Sequence, residues 1–258
     1  MLKFTDVALQ RSGAYLLEKF GILEKLGIKV EIRKKRPKWP GQDHRFDYQK
    51  RFVSFGVKTG ERVLDIGNGG DPFPYATILM DRFLDPSSTN TRTEALVTQN
   101  KPFVLADIHD LPFQNKSFDY IYCSHVLELV DNPLRACQEI MRIGKRGFIE
   151  TPTAGKDMLF AWAKDLQKWH VVAIGRNLYF FEYSQRQLDG INSNVWRDLI
   201  LSDHRNPLQE VFYQNLDIFN VMFTWEDHFS VFVCRLDGTV QALNAQIEFC
   251  RGNSQSHL

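Results

Sequence analysis

The stretch that most constrains this chain is Val63-Leu64-Asp65-Ile66-Gly67-Asn68-Gly69-Gly70-Asp71-Pro72-Phe73-Pro74, where a short apolar run reaches an acid and breaks into a glycine-dense turn. Glycines let the backbone take positive φ and approach a ligand with no Cβ in the way. A parallel strand ending in such a turn is where open α/β sheets bind nucleotides. Asp65 would face the phosphates of a dinucleotide, so the stretch favours a cationic or hydroxyl-bearing ligand over a pyrophosphate. Taken alone, the same residues also fit a tight turn between two elements.

The rest of the chain decides between those readings. Its 258 residues suffice for one large domain or a domain with an elaborated end, and its twenty phenylalanines can fill a substantial core. A formal net charge of +1 gives no strong field for nucleic acid or an anionic membrane. Cys123, Cys137, Cys234 and Cys250 show no metal-ligand spacing and read as reduced core thiols, so a cytoplasmic protein without a metal site is expected. Arg11, Glu18 and Lys19 interrupt any N-terminal apolar run, and no apolar stretch approaches the ~20 residues needed to span a membrane.

From about Thr5 to Leu26, Leu16, Phe20 and Leu23 recur at helical spacing. The following Arg33-Lys34-Lys35-Arg36-Pro37-Lys38 segment, beside Trp39, reads as a solvated linker or as a contact for a phosphate-bearing substrate or an anionic surface. Asp47 to Phe55 reads as a short helix. After the glycine turn, Ala76–Asp81 is a second strand, reached through a connection so short that any intervening helix must be abbreviated. Pro72 and Pro74 can begin such a helix but not continue it. Phe103–Asp107 and Ser117–Cys123 follow as the third and fourth strands, with Ser124 and His125 at the tip of the fourth. Asn132 caps and Pro133 opens a helix whose buried face is Leu134, Cys137, Ile140 and Met141, and Gly144 ends it. Gly147–Glu150 is the fifth strand.

Strands alternating with helices predict an α/β fold, a Rossmann-like doubly wound sheet of about seven strands, mostly parallel with an antiparallel last strand. The final pair is expected from Ile218–Trp225 and Phe229–Cys234, which alternate strongly and read as a hairpin. His170–Val172 and Asn177–Tyr183 read as short strands or an inserted hairpin.

Four blocks in this order, VLDIGNGG, LMD, LADIHDLPF with FDYIYCSHVLELV, and GFIETP, make the chain from about Glu61 to Thr153 resemble the class I S-adenosylmethionine (SAM)-dependent methyltransferases, in particular the small-molecule group with methyltransferase type 11 domains. Asp65, Gly67 and Gly69 match that family's acid-x-Gly-x-Gly-x-Gly loop, whereas Asp71 stands at its last glycine and Leu129 stands where many relatives carry histidine. The resemblance implies SAM as cofactor. It puts Gly67 and Gly69, with Asn68 between them, at the methionine part and Asp65 near its amino group. It gives Asp81 the ribose hydroxyls and Asp107 with Ile108 the adenine, and it sets Ser124 and His125 toward the sulfonium and substrate. It also implies a methyltransferase domain over 56–258, with substrate-side residues at about 154–215, preceded by N-terminal helices and a basic linker over 1–55.

Methyl transfer from a sulfonium is an in-line displacement in which the enzyme chiefly aligns the nucleophile. A hydroxyl nucleophile gains from a general base, for which His125 and His170 are the catalytic candidates and Glu150 a third; each also fits a structural role. The expected function is methyl transfer to a small-molecule or glycan-precursor acceptor, at oxygen, with the basic segment hinting at a phosphorylated sugar. A methyltransferase-fold scaffold without catalysis and a nicotinamide enzyme are the competing readings. No nucleic-acid partner is expected.

Overall fold

The computed structural model describes residues 3–4, 31–32, 45–83, 100–160, 166–190, 194–202 and 206–245. The chain divides into two compact units, Met1–Trp39 with Asp203–Arg205, and Pro40–Ser202 with Asn206–Leu258. In the first, β1 (Lys3–Phe4) pairs in parallel with β2 (Glu31–Ile32). The helices expected between Thr5 and Leu26, and the basic Arg33–Lys38 segment, lie outside the described residues.

The second unit runs α1 (Arg45–Gln49), β3 (Val63–Ile66), β4 (Ile78–Asp81), β5 (Phe103–Leu105), β6 (Tyr120–Ser124), α2 (Pro133–Ile143), β7 (Arg146–Pro152), α3 (Ala154–Phe160), β8 (Trp169–Ile174) and β9 (Asn177–Glu182). It continues through α4 (Gln185–Gly190), α5 (Asn194–Leu201), α6 (Pro207–Gln214), α7 (Leu216–Phe219), β10 (Asn220–Glu226), β11 (Ser230–Cys234) and β12 (Val240–Leu243). Among the described residues, no helix is long and apolar enough to cross a membrane.

The main sheet has the order β10-β7-β6-β3-β4-β5, with β10 antiparallel to β7 and the other five strands parallel. This is the Rossmann-like arrangement the strand pattern predicts. Its parallel centre is covered on both faces, which is why β3 and β6 are buried from end to end. Side chains alternate between two cores. Leu64, Ile66, Ile121, Cys123 and Ile149 enter a large apolar cluster with α2. Val63, Tyr120, Tyr122 and Phe148 enter a second, aromatic cluster.

Residues 67–77 run as turns and bends rather than a helix, in line with the prolines. Aromatic rings take up the packing there: Phe73 stacks on Tyr122 with ring centroids 4.1 Å apart and meets Phe55 edge-on at 5.1 Å.

Helix α2 starts as predicted, with the Asn132 side chain accepting from the Arg135 N–H and Pro133 in the first turn. Gly144 ends it for a different reason than a left-handed cap, since its φ is −101°. A Cβ at Gly144 would lie 2.4 Å from Ile121 Cγ1, so packing against β6 selects the glycine.

Among the described residues the sheet contains six strands, and the hairpin expected from Ile218–Trp225 and Phe229–Cys234 does not form. β10 takes the antiparallel edge beside β7, while β11 leaves for a second sheet of order β12-β11-β9-β8, where it runs parallel to β9. The junction shows why. The Arg176 guanidinium donates to the Glu226 and His228 carbonyls, the Ser230 N–H donates to the Arg176 carbonyl, and buried Phe229 packs on Phe223 and Trp225. Alternation defines a strand with one buried face but not which neighbour it pairs with. The β8–β9 pair is the inserted hairpin that the sequence suggested.

Candidate active site

Strand order reverses beside β3, whose neighbours are β4 and β6, and such a switch point opens a crevice beyond the carboxyl ends of the strands. Gly67 leaves β3 at φ +73° and Gly69 follows at +55°. A Cβ on Gly67 would lie 2.3 Å from Val126 Cγ2, just past the tip of β6. Conformation and the close approach of the neighbouring strand tip therefore both require glycine at this position.

A cavity of about 680 Å³ extends from this loop. Gly67, Gly69, Asp81, Asp107, Ile108, Ser124 and His125 all line it. Buried Asp81 accepts the Phe83 N–H through Oδ1 at 3.0 Å. Asp107 Oδ1 accepts the His109 N–H at 2.9 Å and meets His109 Nδ1 at 2.5 Å, while Oδ2 lies 3.3 Å from Arg82 Nε. Burial alone would raise the Asp107 pKa, but these donors and charges outweigh it and hold the carboxyl below its ordinary range.

Asp65, Asn68 and His170 do not reach the cavity wall. Asp65 lies beneath the loop and accepts the Phe73 N–H at 2.7 Å, and burial pushes its pKa up to about 7. Asn68 donates to the Gly69 carbonyl at 3.0 Å from an equally buried position. His170 belongs to β8 in the other sheet. Trp169 and Val171 turn into the core there, so the alternate His170 faces away, its ring near Phe181 and Tyr183.

His125 is held at φ +58°, a strained value for a residue other than glycine, with its N–H donating to the Glu150 carbonyl at 2.8 Å. Its Nδ1 lies 3.3 Å from Glu128 Oε1 and its Nε2 3.8 Å from Glu150 Oε2, with 25% of the side chain accessible. Enclosure in the cavity, then the charges of Lys156 and Arg45, press the imidazole pKa well below its ordinary value.

Glu150, considered above as a third base, is fully enclosed at 0% exposure, and its carboxylate accepts the Tyr48 and Ser124 hydroxyls at 2.7 Å each and the Gln49 amide. The Tyr122 hydroxyl donates to Gln49 Oε1 at 2.8 Å. Glu150 is thus a structural node that ties α1 to the tips of β6 and β7.

The far wall carries residues the sequence did not single out. Lys156, only 7% exposed, donates through Nζ to Asn220 Oδ1 at 2.5 Å, and the Asn220 amide donates to the Leu216 carbonyl. Asp157 accepts the Tyr183 hydroxyl at 3.0 Å and the Gln167 amide at 2.9 Å, and burial lifts its pKa to about 7. Burial lifts Glu128 to about 8. Arg45 also lines the cavity; burial pulls its pKa down, but the charges of Tyr122, Glu150, Tyr48 and Asp71 outweigh that and raise it. Glu128 had one local signal, its position three residues after His125 in a turn. Arg45 and Lys156 had none, because their partners are remote in sequence.

Residues 64–149 match the family model described as a methyltransferase domain. The chain is 31% identical over 160 residues to a demethylmenaquinone methyltransferase of Paenarthrobacter aurescens, covering 60% of this chain and 57% of the relative. A demethylmenaquinone methyltransferase of Renibacterium salmoninarum is 34% identical over 112 residues, covering 42% of this chain and 46% of the relative. The chain thus spans about half the length of these curated relatives. Among solved structures, a SAM-dependent methyltransferase from Aquifex aeolicus aligns with TM-score 0.34 and 21% identity, covering 45% of this chain and 69% of that one. Over residues 64–149, this chain is similar to the methyltransferase domain family.

Proposed function

We propose that this protein transfers a methyl group from SAM to an oxygen of a small-molecule acceptor. SAM is the cofactor implied by the domain, and when bound it supplies an electrophilic methyl on a sulfonium. The residues present suit it: a cradle of Gly67 and Gly69 on the cavity wall, the Asp81 carboxylate as acceptor for ribose hydroxyls, and Asp107 with apolar Ile108 for the adenine.

The observation that carries the reading is that His125, at the tip of β6, lines the same cavity as that cradle, while Val126 beside it packs against Gly67. An acceptor oxygen between the cradle and His125 has a neutral imidazole at hand to take its proton. Leu129, Val130, Phe212 and Leu216 make the surrounding wall apolar, which supports an acceptor with an apolar ring. The names of the two curated relatives support a small-molecule acceptor as well. The names of the relatives do not support a phosphorylated sugar.

Calorimetric titration with SAM and S-adenosylhomocysteine tests the cofactor, with one-site binding expected and lost in Asp81→Ala. Binding to neither compound would return the chain to the scaffold reading. Screening phenols and sugars with labelled SAM then tests the acceptor.

A further inference from the structure

A guanidinium carries five N–H donors in a fixed fork, and such a group withdrawn from water calls for acceptors. Arg45 lines the cavity and is partly withdrawn from solvent. Yet among the described residues its guanidinium makes no hydrogen bond and no ion pair. The carboxylates of Glu150 and Asp71 act on it only from beyond ion-pairing reach. Glu150 is engaged instead by the Tyr48 and Ser124 hydroxyls and the Gln49 amide.

The helix that carries Arg45 is nevertheless firmly placed. Arg45, Tyr48 and Gln49 are spaced i, i+3 and i+4, so they share one face of α1. The bonds of Tyr48 and Gln49 to Glu150, with the Tyr122 hydroxyl on Gln49, tie that face to the tips of β6 and β7. These bonds anchor the backbone beside Arg45 and leave its own donors unused. A cation held in this way is a ready anion site on the cavity wall.

Its place along the sheet decides which anion it suits. In the order β7-β6-β3-β4-β5, Asp107 lies past β5, Asp81 ends β4, and the glycine turn leaves β3. Arg45 is electrostatically close to Asp65 and Asp71 at the two ends of that turn, to Tyr122 of β6 and to Glu150 of β7. A nucleoside with its base at Asp107 and its ribose at Asp81 would extend its 5′ substituent toward β3 and β6. From β5 to β6 is three strand spacings, about 14 Å, enough for a nucleoside with an amino-acid tail. In SAM that tail ends in an ammonium and a carboxylate.

We infer that Arg45 binds the carboxylate of the cofactor's methionine tail, from a helix outside the residues 64–149 that match the methyltransferase domain. The fork of the guanidinium fits a carboxylate through two parallel N–H···O bonds. The identity of the ligand rests on the methyltransferase reading proposed above; the unused donors do not.

The full chain is titrated by calorimetry with SAM and with decarboxylated SAM, which lacks only the carboxylate, in the absence of any acceptor. Wild-type protein should bind decarboxylated SAM ~10–100-fold more weakly than SAM. Arg45→Met should weaken SAM by a similar factor and leave decarboxylated SAM within about twofold, so that the two affinities converge. Arg45→Lys, which keeps the charge but not the fork, should fall between. Equal affinities of the wild-type protein for the two ligands overturn the inference without reference to any variant. So does a folded Arg45→Met that loses affinity for both ligands alike, or for neither. Wild-type protein that binds neither ligand would instead remove the SAM reading itself, an outcome distinct from all of these.

Discussion

The end of the cavity at Gly67, Asp81 and Asp107 is made by residues at or just past the tips of three adjacent parallel strands. The end at Lys156 draws on α1, α3, α6 and α7 and the start of β10, elements that meet in a small apolar cluster around Phe160 and Phe212. In the first end, strand and turn form together from one continuous stretch of chain. In the second, each functional group is set by a partner far away: Tyr48 reaches Glu150 across 102 residues, and Lys156 reaches Asn220 across 64. One end depends on local backbone geometry and the other on long-range polar contacts, so they should fail differently under substitution.

The largest expected separation is at His125. His125→Asn should lower the turnover of a hydroxyl acceptor that reacts in the labelled-SAM screen ~10²–10⁴-fold while leaving S-adenosylhomocysteine affinity within about twofold. Parallel stopped-flow and calorimetric measurements decide this, and a joint collapse of both would show that the two ends act as one unit.

Next comes Glu150→Ala, which strands the Tyr48, Ser124 and Gln49 donors in a buried site. Removing the acceptor for three buried donors should cost roughly 3–5 kcal/mol and lower Tm by roughly 10 °C. A change below about 1 kcal/mol would mean that α1 is not held by this node.

Gly67→Ala attacks the other end. The strain of a left-handed alanine, about 1–2 kcal/mol, adds to the overlap with Val126, so S-adenosylhomocysteine affinity should fall ~10–100-fold. Combining it with Val126→Ala removes the overlap but not the strain, and calorimetry should then find a partial recovery. No recovery would assign the whole effect to backbone conformation.

The difference between the two ends also explains what could be read from the chain. The parallel strands, the abbreviated connection after β3 and the cap of α2 are local consequences of apolar runs, prolines and Asn132, and all three are legible. The placement of β11 is not, because alternation at Ser230–Cys234 fits any sheet with one buried face and the choice is made by Arg176 and Phe229. His170 shows the same limit from the other side. Its neighbours mark a strand, but which alternate residue turns inward depends on the sheet it joins. Arg45 and Lys156 carry no motif, since a buried cation becomes recognisable only when its distant partners are in place.

Asp65 gives the sharpest test of where the first end stops, because the resemblance puts it near the cofactor's amino group while the structure turns it onto the Phe73 N–H beneath the loop. Its pKa in the folded chain is about 7 against an ordinary 3.8. Between those values the folded chain holds a proton that the unfolded chain has released, so stability falls as pH rises through that window and levels off above it. Asparagine keeps an acceptor for the Phe73 N–H and does not titrate. From about pH 5 to about pH 8, wild type should therefore lose roughly 2–3 kcal/mol relative to Asp65→Asn. Contributions from Asp157, Glu128 and His125 are common to both proteins and cancel in the difference. Denaturant titrations at several pH values measure it, and S-adenosylhomocysteine affinity should stay within about twofold. Parallel stability curves, with affinity reduced about tenfold, would put the Asp65 carboxylate in contact with the cofactor and extend the cofactor end of the cavity beneath the glycine loop.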